Sequence, residues 1–322
     1  MAATAHENSS KTGIRVLVAA GGTAGHLFPA RALAEELAGP ETQIHLVTDR
    51  RAAGFDEDFP ASSIHLVRAA TPVGRSPLRT VQALVTLALG VVAAFRLVRR
   101  LRPDIVVGFG GYPTVPPLLA AWAARVPVLI HDQNAVMGRA NRALVRVADV
   151  FATSVPAPKL ASAAALRKAV HTGNPVRRAV LEVRSIAYRA PAPSGRLRLV
   201  VFGGSQGASV FATVVPGALA LFDAARRARI ELVAQCRKGG RETLEAAYRQ
   251  IGVDAEIAPF FSNMPARIAD AHLVICRSGA STTTELAVIG RPAILVPLPG
   301  AIDHDQRENA RELAAGGGGW LV

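Results

Sequence analysis

Several loops of this 322-residue chain combine glycine with side chains able to move a proton or hold an anion. The first, Gly21-Gly22-Thr23-Ala24-Gly25-His26, joins an apolar run to a helical stretch, so its backbone N–H groups can approach an anion or a sugar. A histidine there sits near the positive end of a helix, which favours the neutral ring that accepts a proton. His26 is therefore the candidate general base for an attacking hydroxyl. The plainer reading of the same residues is a tight strand-to-helix turn without a ligand.

Two more loops end apolar runs in the same half, Gly108–Tyr112 (GFGGY) and His131–Gly138 (HDQNAVMG). Loops at the carboxyl ends of parallel strands converge on one sheet edge, so all three are expected at one site. A hydrogen-bonded core position is the more usual fate of a residue such as His131. The amides of Gln133 and Asn134 suit sugar hydroxyls, and Asn134 is the favoured ligand.

The second half echoes the first. Gly203–Ala208 (GGSQGA) again follows an apolar run and adds the Ser205 hydroxyl. In Arg277–Glu285 (RSGASTTTE) small residues open a helix whose free N–H groups fit a diphosphate, and the Glu285 carboxylate can accept from both hydroxyls of a ribose. Ser278 or Ser281 acting as a helix cap is the structural alternative. Asp303-His304-Asp305 looks superficially like a metal-binding triplet, but acids ahead of a helix ordinarily act as caps or dipole partners, and no metal site is expected.

The elements that must position these loops follow from the hydropathy pattern. Short β-branched runs alternate with longer alanine- and leucine-rich stretches of helical period, which predicts α/β structure with parallel sheets. Strands are expected at Arg15–Ala20, Gln43–Thr48, Ile64–Val67, Asp104–Gly108, Pro127–His131 and Val150–Thr153, then at Arg198–Phe202, Ile230–Gln235, Ala255–Pro259, Leu273–Cys276 and Ala293–Val296. Residues 1–174 and 175–322 read as two doubly wound domains joined by a linker around His171–Val183, with chemistry in the cleft between them.

The formal charge of +13 suggests an anionic partner, whether nucleic acid, acidic phospholipid or a phosphorylated substrate, although an arginine-rich composition follows from GC-rich coding alone. Its distribution says more. No acidic residue lies between Asp58 and Asp104, where Arg68, Arg75, Arg79, Arg96, Arg99, Arg100 and Arg102 accumulate. Within that basic stretch, Thr80–Phe95 is uncharged but shorter than a membrane span, and it reads as a helix with one greasy face, including Leu84, Leu87 and Val91, lying on an anionic surface. Cys236 and Cys276 each fall in a buried-strand pattern and read as unpaired thiols. Met1–Thr12 has no secretory-signal pattern, which predicts a cytoplasmic protein.

Taken in order, GGTAGH, GFGGYP, HDQN, GNPVR, GGSQGA, RSGASTTTE and DHDQRENA resemble the motif set of the MurG family, from about residue 14 to the end of the chain. The resemblance implies a GT-B fold, two Rossmann-like doubly wound domains facing across a cleft. It implies an inverting transfer of N-acetylglucosamine from UDP-N-acetylglucosamine to the muramoyl 4-hydroxyl of undecaprenyl-pyrophosphoryl-muramoyl-pentapeptide, converting lipid I to lipid II without metal or cofactor. It further implies a peripheral position at the cytoplasmic face of the inner membrane, an anionic membrane surface and other cell-wall synthesis or division proteins as partners, and no nucleic acid.

Carried over residue by residue, the resemblance assigns donor contacts to Thr23, Ala24, Gly25 and Asn134, and to Arg177, Ser205, Phe261, Ala280, Ser281, Thr282, Thr283, Thr284, Glu285 and Gln306. Glu285 would hold the ribose, Ala280 and Ser205 the phosphates, Gln306 the acetamido sugar, and Phe261 would lie beside uracil. Ala24 replaces the family's usual glycine, Asp132 its glutamate, and Asp305 a position commonly glutamine or histidine. Trp320-Leu321-Val322 reads as a strand beginning, where the family continues through helices that close the second domain. A UDP-N-acetylglucosamine epimerase and a UDP-sugar-binding protein without turnover are the alternatives on this architecture, and a dehydrogenase is disfavoured because GxGxxG is missing after Gly21.

Overall fold

The computed structural model describes residues 13–50, 59–67, 77–204, 209–237 and 239–322. Met1–Thr12, Arg68, Arg75 and Ser205 lie outside the described residues, as do the side chains of Ala24, Arg79 and Leu84.

Seven strands form the first sheet: β1 (Ile14–Ala19), β2 (Thr42–Thr48), β3 (Ser63–Leu66), β4 (Ile105–Gly108), β5 (Val128–Asp132), β6 (Val150–Thr153) and β7 (Ala169–His171). Six form the second: β8 (Leu197–Phe202), β9 (Ile230–Gln235), β10 (Asp254–Ala258), β11 (Leu273–Cys276), β12 (Ala293–Leu295) and β13 (Gly319–Leu321). Their orders are β3-β2-β1-β4-β5-β6-β7 and β10-β9-β8-β11-β12-β13, parallel at each pairing. Each order reverses beside its first strand, between β1 and β4 and between β8 and β11. That reversal opens the crevice where ligands sit in such sheets.

The central strands are apolar at successive positions because helices cover both faces. Val16 and Val18 of β1 join Leu27 and Ala30 of the helix Ala24–Leu37 in one core, while Leu17 and Ala19 face the helices Pro77–Leu101 and Val115–Ala123 in another. In the second lobe Val200 and Phe202 pack on one side with Leu286 and Val180, and Leu199 and Val201 on the other with Leu244 and Tyr248. Val180 belongs to the short helix Arg178–Val183, so the second half of the expected linker docks on the second lobe. Only residues 172–177 connect that helix to β7 without regular structure. Cys236 and Cys276 are buried free thiols, and burial pushes both thiols above the usual range.

The uncharged stretch lies within the helix Pro77–Leu101. Ala83, Gly90, Ala94, Leu97 and Val98 are buried, whereas Val85, Leu89 and Val92 are about half exposed, at 54%, 58% and 48%. Leu87 and Val91, expected on the greasy face, are only partly exposed, so the outward apolar face lies one step round the helix from them. Arg96, Arg99 and Arg100 stay exposed at its carboxyl end. Among the described residues no helix is long and apolar enough to cross a membrane.

Candidate active site

The first glycine loop leaves β1 and turns directly into the helix Ala24–Leu37. Gly22 takes φ 85°, and its N–H donates to Asp49 Oδ1 at 2.9 Å, so the carboxylate at the end of β2 holds the turn. Thr23 is the helix N-cap, with no side-chain bond to the first turn. A Cβ on Gly111, itself at φ 77°, would come 2.9 Å from the Gly21 carbonyl and 3.2 Å from His26 Cδ2. The GFGGY loop therefore lies flat against both the first turn and the His26 ring, which no larger residue would allow.

His26 Nδ1 stands 3.0 Å from Gln133 Oε1, and Gln133 in turn contacts His131 through its amide nitrogen at 3.0 Å. His131 is buried at 3% exposure, stacks at 5.5 Å on Phe109, and reaches the Gly173 carbonyl at 2.9 Å. Its pKa is lowered by burial, against the opposing pull of Gly173 and Asp132. The core fate read for His131 holds, but Gln133 is enclosed with it and carries no open face for a sugar. Asp132 stitches its own loop, accepting from the N–H groups of Asn134 at 3.1 Å and Gly138 at 2.8 Å and from Asn141 Nδ2 at 2.9 Å.

Across the cleft the helix Ala280–Ile289 starts after β11 with Gly279 as N-cap, no side-chain cap and no acid in its first turn. Neither serine caps it. Ser278 is buried and donates to the Gln306 carbonyl at 2.8 Å, while Ser281 donates across the lobes to the Gly25 carbonyl at 3.3 Å. The N–H groups of the first turn, which no helix satisfies internally, thus keep the positive end of the dipole open to an anion. Thr283 and Thr284 turn their hydroxyls back onto Ala280 O, at 3.0 and 2.9 Å.

Glu285 is gripped by Arg177, whose Nε and Nη2 donate to Oε1 at 2.9 and 2.7 Å and whose Nη2 also donates to Oε2 at 2.9 Å. Burial raises the Glu285 pKa while Arg177 pulls it down. A carboxylate offers about four acceptor sites, so Oε2 retains capacity for a hydroxyl. Arg177 also lies 4.2 Å above the Phe28 ring of the first lobe.

The loop 297–310 closes the other side of the cleft. Asp303 and His304 both take φ 56°, a conformation that costs side-chain-bearing residues about 1 kcal/mol or more each. Asp303 is held there by Arg139, at 3.4 Å, and Arg142, both from the first lobe. Its carboxyl lies below the usual range, chiefly through the Arg139 hydrogen bond. Asn309, 5% exposed, accepts from Ala135 N at 2.8 Å and donates to Asn134 Oδ1 at 3.0 Å and Ser278 O at 3.2 Å. Lys159 reaches Glu308 at 2.5 Å. Asn309 falls within the DHDQRENA motif, but nothing local in the sequence assigns its amide a partner in the first lobe.

One crevice thus brings together the loop Thr23–His26, Asn134, Arg177, Ala280–Glu285 and Gln306. Gln306 Oε1 is engaged by Leu298 N at 2.9 Å. Phe261 follows β10, two strands from β8, with its ring buried beneath Arg267 at 4.4 Å. Among the described residues no group of three or more His, Cys, Asp or Glu is arranged to hold a metal ion.

Two parallel Rossmann-like lobes, meeting where a glycine turn faces an open helix start, define a GT-B fold, and the family matches make it that of a glycosyltransferase. Residues 16–153 match the glycosyltransferase family 28 N-terminal domain and residues 198–322 its C-terminal domain. The chain is 55% identical over 303 residues to the UDP-N-acetylglucosamine–N-acetylmuramyl-(pentapeptide) pyrophosphoryl-undecaprenol N-acetylglucosamine transferase of Methylobacterium sp. (strain 4-46), covering 94% of this chain and 82% of that one. It is 53% identical to the protein of the same name from Sinorhizobium fredii, over 95% of this chain and 82% of the relative. The crystal structure of Acinetobacter baumannii MurG superposes with a TM-score of 0.74 at 30% identity, over 96% of this chain and 85% of that one. The chain belongs to the MurG family.

Proposed function

We propose that this protein transfers N-acetylglucosamine from UDP-N-acetylglucosamine to the 4-hydroxyl of undecaprenyl-pyrophosphoryl-muramoyl-pentapeptide, the step from lipid I to lipid II in peptidoglycan synthesis. The observation that carries it is the uncapped start of the helix Ala280–Ile289, hydrogen-bonded at Ser281 to the glycine turn that bears His26. A diphosphate and a nucleophile are thereby served from opposite lobes.

In this reading His26 takes the proton of the acceptor hydroxyl as that oxygen attacks the anomeric carbon from the face opposite the nucleotide. The bond from that carbon to the β-phosphate oxygen breaks, its electron pair leaves with UDP, and the first-turn N–H groups stabilise the developing charge. One displacement inverts the anomeric centre. Glu285 would accept from the ribose through Oε2, held in place by Arg177. Thr23, Ala24, Gly25, Asn134, Ser205, Phe261, Ala280, Thr282, Thr283, Thr284 and Gln306 complete the assigned donor set.

The same proposal divides the chain at 174/175, with the first domain turned towards the membrane. The half-exposed row Val85, Leu89 and Val92, the arginines that follow it and Trp122 at 58% exposure on the neighbouring helix support docking on an anionic leaflet, at the cytoplasmic face of the inner membrane.

The test is UDP release from UDP-N-acetylglucosamine with and without a lipid-linked muramoyl acceptor. Release that requires the acceptor and yields a β-linked disaccharide is expected. Acceptor-independent conversion of the donor would point to an epimerase, and tight UDP binding without turnover to a binding protein; either overturns the assignment.

A further inference from the structure

We infer that Gln133 and His131 are positioning residues that set the tautomer of His26, leaving its Nε2 as the proton acceptor, through a chain of hydrogen bonds anchored on the linker carbonyl of Gly173. The inference rests on the reading of His26 as the base.

Two carbonyl groups, which can only accept, fix the direction of the chain. Gly173 O lies 2.9 Å from His131 Nε2, so that nitrogen carries the ring proton. In the neutral ring Nδ1 then holds the lone pair, and burial at 3% exposure keeps the ring neutral. Gln133 Nε2 lies 3.0 Å from this Nδ1 and 3.1 Å from His131 O, and both demand a donor. A flipped amide would set oxygen against oxygen, so its orientation is decided by the network. Gln133 Oε1 therefore faces His26 Nδ1 at 3.0 Å, and only a protonated Nδ1 satisfies it. The lone pair of His26 falls on Nε2.

Histidine left to itself favours the opposite tautomer, with the proton on Nε2, where it would block base catalysis at that atom. The buried Gln133 amide, 4% exposed, reverses that preference without adding charge. The charged group that faces His26 from a neighbouring element is Asp305 of the opposite lobe, which couples to it and lies near Asp132 and Asp303, while Asp49 is engaged by Gly22 N in the turn before the helix. None of them is bonded to Nδ1, which Gln133 occupies. Because Gly173 lies in the connection between the lobes, the linker and the base share one hydrogen-bond chain.

The test reads the tautomer directly, by nitrogen NMR of 15N-histidine-labelled protein, with the His26 signal assigned by its loss in His26→Gln. We expect Nδ1–H in the wild type and a return to Nε2–H in Gln133→Leu, whose kcat falls by about 10²-fold with UDP affinity retained. In Gln133→Glu a carboxylate beside Nδ1–H stabilises the imidazolium, so the acid limb of the kcat profile moves up by about one pH unit or more. A merely structural role would lower the melting temperature without moving that limb. Nε2–H in the wild type, or a Gln133→Leu protein with unchanged tautomer and pH profile, overturns the inference. The NMR arm needs no turnover: an Nδ1–H ring in a chain that transfers no sugar would uphold the relay and remove the transferase reading instead.

Discussion

Ser281 donates its hydroxyl to the carbonyl oxygen of Gly25, 3.3 Å away in the other lobe. That acceptor is available because of a residue four positions further on. Pro29 lies inside the helix Ala24–Leu37 and has no N–H, so the bond that would ordinarily close on Gly25 O cannot form. A proline that weakens one helix thereby supplies the acceptor that links two lobes.

Ser281→Ala should lower kcat/KM by about threefold to tenfold, the worth of one ordinary hydrogen bond. Pro29→Ala restores the helix N–H and draws the Gly25 carbonyl back into the helix, so a similar loss is expected without a fall in melting temperature. The double variant should lose no more than either single one, since both remove the same link. Steady-state kinetics and thermal melts check all three.

Glu285→Ala leaves the Arg177 guanidinium without its carboxylate in a site where Glu285 is only 8% exposed. Stability should drop by about 3 kcal/mol or more in chemical denaturation. UDP binding by calorimetry should weaken with it, and Glu285→Gln should recover part of the stability but not the affinity.

The cross-lobe contacts of Asp303 and Glu308 have a definite pH dependence. Arg139 and Lys159 hold these carboxyls below their usual ranges, so the contacts are fully present above the ordinary carboxylate pKa of about 4 and fade as pH falls through the lowered values. The radius of gyration from small-angle scattering should be constant from about pH 8 to about pH 5 and rise only below about pH 4. Asp303→Asn should bring that expansion to neutral pH, and raised salt should add to it.

Serine at Val85, Leu89 and Val92 together should weaken binding to anionic vesicles by about tenfold or more, as apolar area is lost from the docking face. Turnover on a water-soluble acceptor should be unchanged. Vesicle flotation and solution assays separate the two effects.

Much of this was legible in the sequence where burial leaves a clear signature. The centres of β1 and β8 are uninterrupted apolar runs because their strands are covered on both faces, and each glycine loop then falls at a carboxyl end. β7 carried no such signal: an edge strand of three residues, with Val170 51% exposed, has no buried run to show. The phase of the helix Pro77–Leu101 was hidden for the opposite reason. Its middle is apolar all round, so nothing in the pattern told Val85 and Leu89 from Leu87 and Val91.

The finer geometry of the site was less accessible because its partners lie far along the chain. Ser278 and Ser281 read equally well as caps, and only the opposite lobe decides that one faces Gln306 and the other Gly25. Asn309 meets Ala135 and Asn134 across some 174 positions. No local pattern encodes such a meeting.

The helix Asp305–Ala315 and the turn before it hold Asp303, Glu308 and Asn309, each gripping the first lobe. Three anchors grouped along one short segment thus bind the second lobe to the first, whereas Ser281 and Gly25 add a single long hydrogen bond of 3.3 Å. Any change in how the lobes sit must therefore be carried first by the segment 303–309, where the contacts are concentrated.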